Sequence, residues 1–166
     1  MEIKEELPEF TRRDFDLAQW RLAADGLVSE PRGLSYADLL ALPKVAVTDD
    51  FRCVEGWVVK DVAWEGVKLA AVLGLLGLKP EARHVLLASG DFSVVLPLAR
   101  AIEDTTILAL RKDGAPLGPL HGGPARLVLR GQECYESVKA LDRIRVLATP
   151  EEGTAARIAL ARIRKP

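Results

Sequence analysis

Short apolar runs, rather than one long periodic segment, dominate the hydrophobic pattern of this chain. Runs of roughly four to eight apolar or alternating residues, bounded by glycine and aspartate, are typical of β-strands. Two such runs flank Gly90-Asp91, which predicts a hairpin. The pattern predicts strands at Leu17–Ala24, Val45–Cys53, His84–Ala88, Ser93–Leu96, Thr106–Leu110, Ala125–Leu129 and Ile144–Leu147.

Helices are predicted where capping residues meet a helical spacing of apolar positions. Ser35 suits the N-cap of a short helix because Asp38 follows three residues later. Gly77 suits the end of a second helix, Lys68–Leu76. Trp64–Val67 is interpreted as a turn. Further helices are predicted at Leu98–Glu103, Tyr135–Leu141 and Glu151–Arg164, the last with Lys165 at its basic end.

The order of these elements predicts an α+β domain with mixed, largely antiparallel sheets and short helices. Strands and helices do not alternate regularly, so a doubly wound parallel sheet is not favoured. No internal repeat and no long linker is visible. The whole chain, 1–166, is therefore predicted to be one domain, with a core at about 17–147 and a C-terminal helix at 151–164.

Composition and charge exclude several classes of function. The 166 residues are 49% apolar, enough for one core, and the net charge of −1 does not favour nucleic acid or a membrane surface as partner. No apolar run approaches the ~20 residues of a membrane span. The acidic N-terminus lacks the pattern of a signal peptide, which favours a cytoplasmic location. The absence of Asn and the excess of 15 Arg over 8 Lys are typical of a thermophile.

Cys53 is the first candidate for chemistry, because it ends a predicted apolar strand. A free cysteine in that position is more often a small buried hydrophobic residue. A zinc site is not favoured, since Cys134, His84 and His121 do not have the spacing of a zinc module. A Cys-His nucleophilic pair stays possible. A disulfide between the two cysteines is not expected in a reducing cytoplasm.

Other candidates lie in segments that could contact an anion. In the segment His121–Arg126, two glycines allow close approach of the backbone to a ligand, and Arg126 offers a planar fork of donors. Ser137-Val138-Lys139 could begin a helix that presents N–H groups and a lysine. Each has a structural alternative: a loop histidine, a salt bridge of Arg126, a solvated Lys139, or a plain turn at Ser89.

The segment Arg52-Cys53-Val54-Glu55-Gly56-Trp57, followed by Trp64–Leu69, resembles the cysteine segment of the sulfite oxidase family of molybdopterin-binding domains. Within the family it most resembles the branch of the bacterial methionine-sulfoxide reductase catalytic subunit. The resemblance implies a sulfite-oxidase-type molybdopterin-binding fold and a molybdenum-molybdopterin cofactor. It also implies that Cys53 is the catalytic metal ligand. The cofactor-binding residues that it implies are Ser89, His121, Arg126, Ser137, Val138 and Lys139.

The chain departs from the family pattern at several points. Animal sulfite oxidases place Asn and Arg shortly after the cysteine, whereas Val54–Trp57 stand here, which does not favour sulfite as the substrate. Cys134 and Tyr135 stand where relatives often have Tyr-Gly, which implies a place near the cofactor for Cys134, although packing is the expected role for it. The N-terminal segment Phe10–Arg13 does not align with the Asn-aromatic segment of relatives.

The function that the resemblance implies is a two-electron oxygen-atom transfer on a sulfoxide or similar small oxide. Since no haem, flavin or iron–sulfur motif is visible, an external electron donor or acceptor is expected. Glu55 and Asp91 are candidate acid-base groups, although each also fits a solvated loop charge. Two alternatives remain: a non-catalytic molybdopterin-binding or interaction module, and an unrelated α+β domain with a buried Cys53. The oligomeric state is left open.

Overall fold

The computed structural model describes residues 1–164, so Lys165 lies outside the described residues. The strands are β1 (Glu2–Lys4), β2 (Arg21–Gly26), β3 (Arg32–Ser35), β4 (Lys44–Arg52), β5 (Trp57–Lys68), β6 (His84–Ser89), β7 (Phe92–Pro97), β8 (Ile107–Lys112), β9 (Ala115–Pro116), β10 (Arg126–Val128) and β11 (Arg143–Leu147). The helices are α1 (Tyr36–Leu40), α2 (Leu69–Leu76), α3 (Leu98–Ala101) and α4 (Ala155–Ile163), and one 3-10 turn covers Cys134–Glu136.

Two sheets organise these elements. The first has the order β1-β5-β8-β10, with β4 also paired to β5 and β9 to β8. The second has the order β3-β2-β11-β6-β7. Within residues 1–164, β1 runs parallel to β5 and β11 parallel to β2, while the other pairs of strands are antiparallel. The predicted α+β class with mixed, largely antiparallel sheets and short helices is confirmed.

The buried apolar residues form two clusters. The larger joins the second sheet to α2, whose inward residues Leu69, Leu73 and Leu76 are almost fully buried. The smaller lies on the first sheet around Phe51 and Trp64. Cys53 and Cys134, both partly exposed, pack against the smaller cluster, so the candidate ligand lies at the edge of a core.

Several predicted elements are confirmed because their signals are local. Ser35 accepts a hydrogen bond from the Asp38 backbone N–H, and the Asp38 carboxylate accepts one from the Ser35 N–H, which together form a capping box. Gly77 ends α2 with a φ of 67°. The hairpin around Gly90 joins β6 to β7. Four further strands are present with bounds that differ from the predicted ones by no more than two residues, namely those predicted to begin at Val45, Thr106, Ala125 and Ile144.

Trp64–Val67 was predicted as a turn, and this is wrong. These residues lie inside the 12-residue strand β5, which pairs with β4 on one side and β8 on the other. Gly66 permits this because the carbonyl oxygen of Leu108 lies where a side chain would begin. The glycine therefore marks a close approach of two strands, not a turn.

The prediction of a helix at Tyr135–Leu141 is also wrong, since only the 3-10 turn forms there. The chain beyond the turn pairs irregularly with other segments: the Val138 carbonyl accepts from the Leu127 N–H, and the Ala140 N–H donates to the Gly122 carbonyl. Ala140 itself has a φ of 50°, which a helix does not allow. Tertiary hydrogen bonds thus replace the helical ones.

Other boundaries differ from the prediction. The first predicted strand, Leu17–Ala24, begins only at Arg21, because 17–19 form a turn. The final helix begins at Ala155 rather than Glu151. The short strands β1, β3 and β9 were not predicted, since each has too few residues to show an alternation. Within residues 1–164, the helices are too short or too polar to cross a membrane.

Candidate cofactor site

A cavity of about 670 Å³ opens beside the end of β4. Its walls come from five parts of the chain: the N-terminal segment 8–13, the turn after β4, the hairpin between β6 and β7, the loop before β10 with the segment 134–140 after it, and α4. A cavity of this size is typical of small-molecule and cofactor sites. Both sheets contribute, because Ser89 at the end of β6 reaches the same cavity as Cys53.

A tight turn places Cys53 in the cavity wall. The Cys53 N–H donates to the Trp57 carbonyl, and the Gly56 N–H donates to the Cys53 carbonyl, each at 2.9 Å. Gly56 has a φ of 94°, which favours glycine. The turn leaves the Cys53 side chain half-buried, and this burial raises the pKa of the thiol to about 12. Binding of a metal would therefore have to displace the thiol proton.

The second thiol of the chain lies directly beside the first. The Sγ atoms of Cys53 and Cys134 are 3.1 Å apart, although 81 residues separate them in sequence. Both are free thiols, and both line the cavity. The expectation that Cys134 only packs is thus incomplete: it does contact the smaller apolar cluster, but its sulfur also faces the candidate ligand.

Arg126 is fully buried next to the cavity and has no carboxylate partner among residues 1–164. Its Nε donates to the Ser137 hydroxyl at 2.7 Å and its Nη1 to the His121 carbonyl at 3.3 Å. Its Nη2 has no hydrogen-bond partner. Three aromatic rings surround the guanidinium, at 5.1 to 5.6 Å, namely Phe10, Phe51 and Trp64.

Burial lowers the pKa of Arg126 to about 9, which still leaves the group charged at neutral pH. A buried cation without a counter-ion costs several kcal/mol, and aromatic faces offset only about 2 kcal/mol of that cost. The salt bridge considered for this residue is therefore not formed within the described chain. An anion bound nearby would supply the missing partner.

Lys139 lines the cavity, with its Nζ 3.1 Å from the centroid of the Phe10 ring. Burial, together with repulsion from Arg126, lowers the pKa of Lys139 to about 7. Gly122 makes room for this lysine, because a Cβ at Gly122 would lie 2.6 Å from the Lys139 Cβ. Two neighbouring cations are thus held without a described acidic partner.

The N-terminal segment forms a wall that the sequence alone did not identify. The Phe10 N–H donates to the Leu120 carbonyl and the Arg13 N–H to the Pro119 carbonyl, which fixes the segment along the loop before β10. Arg13 also donates through Nη1 to the buried Ser89 hydroxyl at 2.5 Å. The segment therefore adds a third cation and an aromatic ring to the cavity.

Helix α4 forms a further wall of the cavity with Ile158, Arg162 and Ile163. Arg162 is close enough to Lys139 to lower the pKa of that amine further. Arg13, Arg126, Lys139 and Arg162 form no ion pair within residues 1–164. The arrangement favours an anionic ligand beside a thiol.

The residues expected to bind a cofactor fall into two groups. Ser89, Ser137 and Lys139 line the cavity together with Cys53. His121, Arg126 and Val138 do not: His121 offers its carbonyl to Arg126, and the Val138 side chain is buried in the larger core. Since no helix begins at Ser137, the expected row of helical N–H groups is absent there, and the Ser137 hydroxyl instead donates to the Leu127 carbonyl.

Sequence reasoning missed Phe10, Arg13 and Arg162 as parts of the site. None of them lies in a recognisable motif, and each reaches the cavity only because segments distant in sequence pack together. The unaligned Phe10–Arg13 segment, which combines an aromatic residue with two cations, is the one signal that pointed in this direction.

The fold and the cavity suit a domain that binds an anionic cofactor beside a cysteine. The family model of the oxidoreductase molybdopterin binding domain matches residues 9–155, and the chain belongs to this family. The resemblance inferred from the cysteine segment is thereby confirmed. The expectation of a molybdenum-molybdopterin cofactor is confirmed at the level of the family.

Individual relatives agree with this assignment. The chain is 36% identical to the uncharacterized oxidoreductase YuiH of Bacillus subtilis, covering 76% of this chain and 64% of YuiH. It is 31% identical to the putative protein-methionine-sulfoxide reductase subunit YedZ1 of Azospira oryzae, covering 80% of this chain and 50% of that protein. The chain therefore spans half to about two thirds of the length of these two relatives.

A solved structure shows the same fold. The sulfane dehydrogenase SoxCD from Paracoccus pantotrophus superposes with a TM-score of 0.80 at 25% identity, over 86% of this chain and 42% of that chain. The predicted sulfite-oxidase-type fold is thus confirmed.

The residues of the cavity fit molybdopterin. Within residues 1–164 no three His, Cys, Asp or Glu side chains are grouped to hold a metal, so the dithiolene of the pterin would have to supply the remaining sulfur ligands beside Cys53. The unpartnered Nη2 of Arg126 and the buried amine of Lys139 suit the anionic end of such a cofactor.

Proposed function

We propose that this chain is the molybdopterin-binding catalytic domain of an oxidoreductase that transfers an oxygen atom in a two-electron step. The observation that carries the proposal is the Cys53 thiol in the wall of a cavity with unpaired cations, in a chain of this family. A sulfoxide or similar small oxide is the proposed substrate, which the relationship to YedZ1 supports.

When bound, the cofactor supplies a metal that cycles between two oxidation states two electrons apart. Cys53 would hold that metal as a soft thiolate, which donates electron density to it. Lys139, Arg13 and Arg162 would bind and orient the anionic end of the cofactor. Arg126 would stabilise the same negative charge from behind the cavity wall.

The described residues offer few groups for proton transfer. The Glu55 carboxylate accepts a hydrogen bond from the Trp57 indole at 3.0 Å, which holds it in the turn after Cys53. Asp91 is exposed at the rim of the cavity. The role of the protein is therefore mainly to bind and orient, and protons would come from solvent.

An external electron donor or acceptor remains part of the proposal. The open cavity could accept a small-molecule substrate, and a redox protein or a small reductant would deliver or remove electrons there. The cytoplasmic location expected from the N-terminus remains a prediction.

The experiment is a measurement of molybdenum and released pterin per chain after expression in a host that makes molybdopterin. Wild type is expected to carry about one of each, whereas Cys53→Ser should lose the metal. Cys134→Ser is the matched control, because it removes a thiol from the same cavity and keeps the proposed ligand. Circular dichroism would check that both variants fold.

Turnover would then be assayed with dimethyl sulfoxide and a reduced dye, following the formation of dimethyl sulfide. Molybdenum with turnover supports the enzyme. Molybdenum and pterin without turnover on any small oxide would support the non-catalytic binding module instead. Wild type that folds but binds neither, in a host that loads a known relative, would refute the proposal.

A further inference from the structure

The two cysteines of this chain meet inside the cofactor cavity, and their contact has a chemistry of its own. Their Sγ atoms are 3.1 Å apart, and a disulfide needs about 2.05 Å. A closure of about 1 Å is within the range of small side-chain rotations. Cys53 and Cys134 are the only cysteines in the sequence, so no other disulfide can form within one chain.

The backbone holds both thiols in place from opposite sides. Cys53 is held by the turn that links β4 to β5. The loop that carries Cys134 is tied to β4 itself, because the Gly131 N–H donates to the Asp49 carboxylate at 2.9 Å. At its other end, the Val138 carbonyl pairs with the Leu127 N–H of β10. The two thiols therefore lie side by side without a rearrangement of the fold.

Both thiols are also accessible. Each is partly exposed and lines the cavity, so a small oxidant that enters the cavity reaches both sulfurs. Pairs of accessible thiols in contact are typical of labile, reversible disulfides rather than structural ones.

We propose that Cys53 and Cys134 form a reversible disulfide in the cofactor-free chain, and that this disulfide and molybdenum at Cys53 exclude each other. The exclusion rests on the proposed function, in which Cys53 is the metal ligand. A disulfide sulfur carries no thiolate charge and cannot replace that ligand. The reduced dithiol is then the form that accepts the cofactor.

The reaction with hydrogen peroxide is balanced. One thiol attacks a peroxide oxygen, the O–O bond breaks, and a sulfenic acid and one water form. The second thiol attacks the sulfenic sulfur, the S–S bond forms, and the hydroxyl leaves as a second water. Two electrons pass from the thiols to the peroxide, and both thiol protons end in water. A dithiol reductant reverses the reaction by thiol–disulfide exchange.

The test begins with cofactor-free protein from a host that cannot make molybdopterin. After hydrogen peroxide, wild type is expected to lose both free thiols and about 2 Da in intact mass while staying a single chain on a non-reducing gel. Dithiothreitol should restore both thiols. Cys134→Ser and Cys53→Ser should gain oxygen instead, because neither can form the bond. Wild type that gains oxygen in the same way, or that cross-links between chains, would overturn the disulfide.

The second part measures loading with molybdopterin and molybdate. Oxidised wild type should take up less than about a tenth of the molybdenum of the reduced protein, and dithiothreitol should restore uptake. In Cys134→Ser, any loss of loading should accompany a gain of oxygen in intact mass rather than the loss of about 2 Da that marks the disulfide. Equal loading of oxidised and reduced wild type would overturn the exclusion. If the disulfide forms but the reduced chain binds no metal, the proposed function fails and the disulfide stands.

Discussion

Replacing Arg126 by methionine should leave the stability of the cofactor-free protein unchanged or raise it, and should weaken the binding of the cofactor. Methionine keeps a long apolar stem in the pocket formed by Phe10, Phe51 and Trp64 and removes the buried charge. The Ser137 hydroxyl keeps its acceptor, the Leu127 carbonyl, so no donor loses its partner there.

The magnitude follows from the surroundings of the guanidinium. Burying an unpaired cation costs several kcal/mol. Against this stand one good hydrogen bond to Ser137 and one long contact to His121, worth about 1 kcal/mol each, and about 2 kcal/mol from the aromatic faces. The terms nearly cancel. We expect the free energy of unfolding of cofactor-free Arg126→Met to stay within about 1 kcal/mol of wild type or to rise by about 1–2 kcal/mol.

The affinity for the cofactor should change in the opposite direction. Loss of a buried cation behind the cavity wall should weaken binding of an anionic ligand roughly tenfold, since a charge that acts without direct contact contributes about 1 kcal/mol. Arg126→Lys, which keeps the charge but not the planar fork, should bind pterin with intermediate affinity.

The assays are urea denaturation of the cofactor-free proteins and quantification of pterin per chain after expression with the cofactor. If Arg126→Met unfolds more easily by 3 kcal/mol or more, the arginine is a structural group with a satisfied partner, and the reasoning fails. Full retention of pterin by the variant would refute the electrostatic role.

Three further predictions concern charge and packing. The pKa of Lys139 is lowered to about 7 by burial, so the cofactor-free protein should gain stability from about pH 7 to about pH 8.5 as the folded state alone loses the proton. At higher pH the raised pKa of the Cys53 thiol opposes this rise. Urea titrations should show no rise between these pH values in Lys139→Met. Gly66→Ala should lower the free energy of unfolding by about 2–4 kcal/mol, because its Cβ would meet the Leu108 carbonyl oxygen at 2.0 Å. Gly74→Ala is the control: there is open space around Gly74, so this variant should be neutral or stabilising in urea denaturation. Hydrogen bonding by Arg145 lowers the pKa of Asp25, so this pair stabilises the folded protein by at most about 1 kcal/mol, since the carboxylate is partly exposed. This stabilisation should be lost as the pH falls below about 4, and thermal melts of Asp25→Asn should not show that pH dependence.

Local signals explain which elements were predictable. The Ser35 cap, the Gly77 stop and the Gly90 hairpin depend on residues within a few positions of each other, so the sequence contains the whole interaction. Trp64–Val67 shows the opposite case. Its glycine is typical of a turn, but here the glycine allows β8 to approach closely. Strand β8 lies about 40 residues later, so the local sequence does not indicate this contact.

The prediction of a helix after β10 was wrong for the same reason. Its composition allows a helix, yet hydrogen bonds to Leu127 and Gly122 hold it in an irregular path. That path directs Ser137 and Lys139 into the cavity, and it places Cys134 against Cys53. The helix that the sequence predicts for this segment would not have placed these three residues in the cavity.

The sequence by itself determined the fold class and the family, because these depend on local patterns and on a motif around Cys53, and the same motif predicts Cys53 as the metal ligand. Tertiary structure alone decided the rest of the site. The thiol pair, the unpaired charge of Arg126 and the walls formed by the N-terminal segment and α4 all join residues distant along the chain. Burial and proximity give such groups their chemistry, and both arise only when the chain is folded.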